Sequence, residues 1–313
     1  MRALYVMDPP ASLDVAGDST YALMVEAARR GHSTAWCHPS DLRVVGNQPA
    51  ARVQEARALT AAPWFELGDV AQVPLGSFDA IWMRKDPPFD MDYVFSTYIL
   101  DLAERAGAKV FNDPVSLKAA NEKMYALQWP ELSPPTWVTN SVEEVVALAR
   151  EHGRVVIKPW DGNGGRGVLV THGQDRNLRS MAELLTGEGR VSILVQPFLE
   201  AIRDGDKRII LVDGEPRGWF LRVPGPQDHR GNMHVGATVQ GCDLDERDRA
   251  ICGALEGRLR AEGLLFVGID VIGGLLTEIN VTSPTGLREI QTLMGRDLAA
   301  ELQDAAAKKL AAR

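Results

Sequence analysis

The run FVGIDVIGGLLTEIN at residues 266–280 constrains the fold more than any other segment. Two apolar, strand-forming stretches flank Gly273 and Gly274, so the chain must double back there as an antiparallel hairpin. Side chains alternate along a strand, which puts Glu278 and Asn280 on one face. A two-residue turn pairs Ile272 with Leu275 and would set Asp270 opposite Thr277, on the wrong face. A three-residue loop or a bulge sets Asp270 opposite Glu278 instead. With that extra residue, three oxygen-bearing side chains converge as ligands suited to a hard cation such as Mg²⁺. The plainer reading is a polar, solvated hairpin face, and the apolar neighbours on both strands weigh against it.

The rest of the chain is large enough to build on that hairpin. Its 313 residues allow about two domains. The 45% hydrophobic and 24% charged content is that of a folded protein. A net charge of -8 argues against a broad nucleic-acid surface and still allows a small basic phosphate pocket. Three scattered cysteines, Cys37, Cys242 and Cys252, form neither a disulfide framework nor a thiolate metal pattern. The sequence has no long apolar run, and MRALYVMDPP reads as a buried strand, so no membrane partner and a cytoplasmic location are expected.

Residues 1–122 alternate as an α/β unit, with strands at 3–7, 33–37, 78–83 and 109–112, helices at 20–30 and 93–106, and a hairpin at Gly46-Asn47. A Gly/Pro-marked loop leads into the strand at 78–83, Asp113-Pro114 reads as a turn, and 116–127 as a helix. Residues 123–200 read as a small α+β unit whose helix is capped by Ser141 with Glu144 three positions on. Residues 201–313 supply strands at 207–212 and 216–223, a helix at 245–261, the hairpin, and a final helix at 296–310.

KPWDGNGGRG at residues 158–167 is the strongest nucleotide signal. Lys158 ends a strand and can reach phosphate, while Gly164 and Gly165 let backbone N–H groups approach phosphate oxygens. No Walker A motif is present, and the opening VMDPPASLDVAGD lacks the early glycine fingerprint of a dinucleotide-binding fold, so an oxidoreductase of that kind is not supported. A simple glycine hairpin is the competing reading. Lys123, alone an ordinary surface lysine, gains meaning as a second cation for the same phosphates. Gln196 and Leu199, at a strand-to-loop junction, can offer backbone groups to an adenine edge.

Together these residues resemble the ATP-grasp superfamily and, more closely, the prokaryotic glutathione synthetases. The resemblance spans nearly the whole chain through MRKDPPFD at 83–90, NEK at 121–123, KPWDGNGG at 158–165, DGDKR at 204–208, RGN at 230–232, FVGID at 266–270 and LTEINVTSPTGLREI at 276–290. It implies an ATP-grasp fold, α/β and α+β, behind an N-terminal open-sheet domain. It further implies ATP, with Mg²⁺ or Mn²⁺ held by Asp270, Glu278 and Asn280, phosphates held by Lys123 and Lys158, and a homotetramer. The reaction implied joins γ-glutamylcysteine to glycine through an acyl phosphate. Arg208 would assist the phosphate, Arg222 would face the reacting carboxyl group, and Arg84, Arg230, Asn232, Ser283 and Arg288 would bind the dipeptide. MHVGATVQG at 233–241 lacks an arginine common in that loop, which leaves another amine acceptor as the main alternative. A non-catalytic nucleotide-binding regulator is a second alternative.

Overall fold

A computed structural model describes residues 1–162, 164–225 and 236–312. The chain begins with β1 (Arg2–Val6), α1 (Ser19–Arg29), β2 (Ser33–Cys37), β3 (Leu42–Val45), β4 (Gln48–Ala58), β5 (Phe65–Pro74), β6 (Ala80–Met83), α2 (Met91–Arg105) and β7 (Lys109–Phe111). The first sheet runs β3-β4-β2-β1-β6-β7, with β5 against β4. β1, β2, β6 and β7 pair in parallel, which requires crossover helices, and α1 and α2 supply them. Gly46 and Asn47 both take positive φ, 66° at Asn47, as a two-residue turn between paired Val45 and Gln48 demands.

The β4–β5 ribbon replaces most of the Gly/Pro-marked loop expected between the hairpin and the strand at 78–83. β5 lies almost wholly exposed and β4 is rich in Ala, Arg, Gln and Glu, so neither strand carries a strong alternating apolar signal. A second correction concerns Asp113-Pro114, which opens helix α3 (Pro114–Ala119) instead of closing a turn. The Asp113 carboxylate accepts from the Val115 and Ser116 N–H groups at 2.9 Å each, with proline at the first helical position. The helix expected over 116–127 stops at Ala119. Asn121 Oδ1 accepts from the N–H groups of Lys123 and Met124, both at 3.1 Å, and this local bond competes with the helical ladder.

The second sheet comprises β8 (Trp137–Thr139), β9 (Arg154–Pro159), β10 (Leu169–His172) and β11 (Ile193–Pro197), ordered β10-β9-β11-β8. Helices α4 (Val142–His152) and α5 (Leu178–Leu185) cover it, and its core, including Val145, Ile157, Ala182 and Val195, is separate from the others. Ser141 caps α4 by accepting from Glu144 N at 3.2 Å. The Glu144 carboxylate turns to Thr139 Oγ1 at 2.5 Å, and that hydroxyl accepts from Ser141 N at 3.0 Å, so the expected capping box closes through Thr139.

The third sheet is antiparallel, ordered β14-β13-β12-β15-β16, from β12 (Asp206–Val212), β13 (Glu215–Val223), β14 (Thr238–Gln240), β15 (Phe266–Ile272) and β16 (Leu275–Asn280). α6 (Glu246–Ala261) is capped by Asp245, α7 (Leu287–Met294) covers part of the stretch read as substrate-binding, and α8 (Leu298–Ala311) follows its cap Asp297. α5 and α7 were not anticipated. Each is only eight residues long, which is too short for periodicity to separate a helix from a loop.

One buried core runs from the first sheet into the third, joining Val6, Ile81 and Val110 to Ile209, Val267 and Ile279. Asn112 pins the junction. Its Nδ2 donates to the Phe266 and Val281 carbonyls, and its Oδ1 accepts from Phe266 N, all at 2.8 Å and all buried. Asn112→Ala leaves three backbone groups buried without partners and is expected to lower unfolding stability by about 3 kcal/mol. Denaturant titration checks this; a change below about 1 kcal/mol would show that the junction does not depend on Asn112.

Candidate active site

The third sheet carries a row of charged side chains that follows directly from strand register. Arg222 on β13 pairs across to Asp206 on β12, Arg208 on β12 to Asp270 on β15, and Asp270 to Glu278 on β16. The hairpin makes a two-residue turn at Gly273-Gly274, pairing Ile272 with Leu275, and shifts register between Asp270 and Val271. Thr277 is the extra residue, and its hydroxyl donates back to the Asp270 carbonyl at 3.1 Å. The bulge therefore brings Asp270 opposite Glu278, with Asn280 on the same face.

Asp270 is the centre of the row. Arg208 Nε and Nη2 donate to its two oxygens at 2.5 and 3.1 Å, and Arg222 Nη2 lies 2.9 Å from Oδ1. Arg222 also donates to Asp206 Oδ2. Burial opposes ionisation of Asp270, yet the two guanidiniums outweigh it and hold the carboxyl down at about 2. Asp206 fares differently. Burial comes first, with the Asp270 charge adding to it against Arg222, and the carboxyl is pushed up to about 7.

The lysines approach from the other side. Lys158 on β9 and Lys123 are 6% and 3% exposed, and Lys123 is no helix-surface residue. Their Nζ atoms lie 3.9 and 3.5 Å from Glu278 Oε1. Lys123 also donates to Glu122 and to the Gly162 carbonyl, while Asn121 Nδ2 donates to the Trp160 carbonyl at 3.1 Å, so the NEK segment grips the glycine-rich turn. Gly164 and Gly165 take φ of 57° and 77°, conformations open to glycine at little cost. Burial lowers the Lys158 pKa, with Glu278 opposing; for Lys123 burial is outweighed by Glu278 and Glu122, and the pKa rises.

The remaining expected residues fall into three groups. Gln196 is the penultimate residue of β11, its amide donating to Thr136 Oγ1 at 2.8 Å, and Leu199 precedes a short 3₁₀ turn at Glu200–Arg203. Arg84 is 4% exposed and is bound internally, to Thr20 Oγ1 at 3.1 Å and the Pro284 carbonyl at 2.8 Å, with its guanidinium 4.7 Å from the Phe266 ring centre. It therefore ties the N-terminal sheet to the Ser283-Pro284 turn. Arg288 stands over the Tyr21 ring with its Nε buried and unpartnered. Arg230 and Asn232 lie outside the described residues.

Two site residues escaped the sequence reading. Asp206 stands two residues before Arg208 on the same strand face, a signal that was present in DGDKR. Glu122, beside Lys123, is half-buried, and desolvation together with the Glu278 charge pushes its carboxyl up to about 7. Among the described residues no trio of His, Cys, Asp or Glu forms a metal cluster. The candidate set is two carboxylates and an amide. Its chemistry fits Mg²⁺, because every donor is a hard oxygen and Asp270 is held ionised.

A carboxyl whose folded pKa stands above its unfolded value keeps a proton that the unfolded chain has already lost. Stability therefore falls as pH rises through that interval, here from the model-peptide value of 3.8 to about 7 for Asp206. In chelator, wild type is expected to lose stability relative to Asp206→Asn between about pH 4 and about pH 7. Parallel stability curves for the two proteins would contradict the shift.

The profile of the prokaryotic glutathione synthetase N-terminal domain matches residues 1–118, and that of its ATP-grasp domain matches 122–295. Glutathione synthetase of Parasynechococcus marenigrum is 46% identical over 299 residues, covering 96% of both chains. That of Pseudomonas putida is 43% identical and covers 100% of this chain and 99% of its own. A crystal structure of D-cycloserine synthetase superposes with a TM-score of 0.68 at 18% identity, over 98% of this chain and 99% of the other, which establishes the shared fold. The chain belongs to the prokaryotic glutathione synthetase family, the ATP-dependent carbon–nitrogen ligases of ATP-grasp fold.

Proposed function

We propose that this ligase joins γ-glutamylcysteine to glycine. The observation that carries the site assignment is the charged row Arg222–Asp206, Arg208–Asp270–Glu278, which Lys123 and Lys158 meet at Glu278. A carboxylate resists amine attack because it is anionic and has no good leaving group. The cysteine α-carboxylate attacks the γ-phosphorus of ATP, the bond to the bridging oxygen breaks, and ADP leaves. Glycine's amine then attacks the acyl-phosphate carbon, the C–O bond breaks, and phosphate departs with that electron pair while the nitrogen loses its proton.

The chain's own groups serve each stage. Lys123 and Lys158 bind the nucleotide phosphates, the Gly164 and Gly165 backbone contributes N–H donors, and Gln196 and Leu199 frame the adenine. Arg208 steadies the transferring phosphoryl oxygens and Arg222 orients the reacting carboxylate, both fixed in place by Asp270 and Asp206. Asp270, Glu278 and Asn280 would hold Mg²⁺, or Mn²⁺ in its place, which supplies neutralisation of phosphate charge when bound. Ser283, Arg288, Arg230 and Asn232 take the dipeptide, and Arg84 acts through the Pro284 carbonyl. The same reading keeps an N-terminal substrate unit at 1–122, an ATP-grasp lid at 123–200 and a catalytic subdomain at 201–313, in a cytoplasmic homotetramer.

Glu278→Gln removes a charged oxygen donor at nearly constant volume, and turnover is expected to drop at least about tenfold with the circular dichroism spectrum retained. Mg²⁺-dependent ADP release measures it; wild-type turnover across Mg²⁺ concentrations would remove Glu278 from the ligand set. Lys158→Ala should weaken the ATP dependence of the initial rate, and an unchanged dependence would reject the phosphate role. Acceptor identity is tested by mass spectrometry of parallel reactions with glycine, alanine, serine and β-alanine. A small closed pocket disfavours a larger amine by about 1 to 3 kcal/mol per misplaced group. Glutathione with equimolar ADP and phosphate is expected. A different dominant amide would overturn the acceptor and leave the ligase chemistry standing.

A further inference from the structure

Helix α7 begins against the start of α1. Ser19 Oγ accepts from the Gly286 and Leu287 N–H groups at 3.1 and 3.3 Å, which fixes the first turn of α7 beside the loop that precedes α1. Arg288 and Glu289 stand in that turn. The Arg288 guanidinium lies 5.4 Å from the Tyr21 ring centre, a contact that orients it. Glu289 Oε1 and Asp14 Oδ2 border the space over Gly17, 4.0 and 3.6 Å from where a Cβ on that glycine would stand.

Arg288 Nε and Glu289 Oε2 are both buried without a hydrogen-bond partner. Among the described residues neither side chain forms an ion pair, although the two are neighbours in the chain. Burial lifts the Glu289 carboxyl above its ordinary range, with Asp14 adding to it against the charges of Arg208 and Arg288. Polar groups left this way cost stability, and a binding site is where a protein retains them. One cation and one anion held side by side, each open to a partner, are the complement of an α-amino-acid head, which carries a carboxylate and an ammonium on one carbon.

We propose that Arg288 and Glu289, with Asp14, clamp a free α-amino-acid head group, Arg288 taking its carboxylate and Glu289 and Asp14 its ammonium. The inference rests on the ligase reading and sharpens it to a linkage. A γ-glutamyl donor keeps both groups free on one carbon, because its amide uses the side-chain carboxyl. In the α-linked isomer the amide consumes the α-carboxylate, and the remaining carboxylate stands two methylene groups away from the carbon that bears the ammonium. The clamp therefore selects the γ linkage, a discrimination made by leaving charged groups unpaired when the wrong donor binds.

Initial rates with four donors test it: γ-glutamylcysteine, α-glutamylcysteine, glutarylcysteine, which lacks the ammonium, and 4-aminobutyrylcysteine, which lacks the α-carboxylate. Wild type is expected to prefer the first over each of the others by at least about tenfold in kcat/KM. Glu289→Gln is expected to raise the KM for γ-glutamylcysteine and leave the KM for ATP unchanged. It should also erase the preference over glutarylcysteine and keep the preference over 4-aminobutyrylcysteine, and Arg288→Gln should do the reverse. A merely structural role would weaken all donors alike. Asp14→Asn, expected to reduce the same preference over glutarylcysteine, serves as a second variant should Glu289→Gln fold poorly. Wild-type selectivity in Glu289→Gln, or equal wild-type rates with the γ- and α-linked donors, would overturn the clamp and leave the ligase reading standing. No turnover of γ-glutamylcysteine by wild type would overturn that reading and the clamp with it.

Discussion

The structure turns on one buried carboxylate, Asp270, held between two guanidiniums on neighbouring strands. Removing a charge from water is costly, and an ion cluster survives burial only where each member meets a partner at good geometry. Strand register delivers those partners: β12 presents Arg208 directly opposite, and Arg222 reaches in from β13 one strand farther away. Removing one partner of such a buried pair typically costs about 3 to 5 kcal/mol, because the other charge is left behind. The geometry is therefore fixed by stability, and the roles proposed for the same arginines toward anionic reactants would draw on side chains already held in place.

Charge compensation also explains how two sheets with separate cores form one site. The second sheet's Lys158 and the nearby Lys123 face Glu278 of the third sheet. Burial pushes Lys158 toward its neutral form, which means that the surrounding protein does not fully offset its charge. The nucleotide phosphate proposed to bind there would supply what is missing. The NEK segment joins the two sides of this arrangement, since the Glu122 backbone carbonyl accepts from Ile279 N at 2.9 Å while Lys123 donates to the Gly162 carbonyl. A short stretch thereby connects the hairpin to the glycine-rich turn.

How much of this was legible depended on whether the information was local. The β1–α1–β2 start, the Gly46-Asn47 hairpin and the Ser141 cap were readable because turn chemistry and apolar period agree there. The β4–β5 ribbon was not, because a strand exposed on both faces has no reason to alternate. The helix break after Ala119 depended on one Asn121 side chain accepting from the Lys123 and Met124 N–H groups, a competition that periodicity does not register. Asp113-Pro114 was ambiguous in principle, since the same pair opens helices and turns.

In the site, residue type was legible and partnership was not. Spacing alone put Glu278 and Asn280 on one face, and the requirement for an extra residue in the hairpin was readable from the glycines. Only the paired strands reveal that Thr277 is that residue. Asp206 was overlooked because its significance is a relation across strands, directly opposite Arg222, and Arg222 lies beyond a separate turn. Lys123 was ambiguous for the same reason, as its burial is set by the glycine-rich turn roughly forty residues away in sequence. A charged residue that the sequence places beside an apolar strand should be read by asking which opposite charge the sheet order can bring across to it, because burial without that partner would cost more than the fold can absorb.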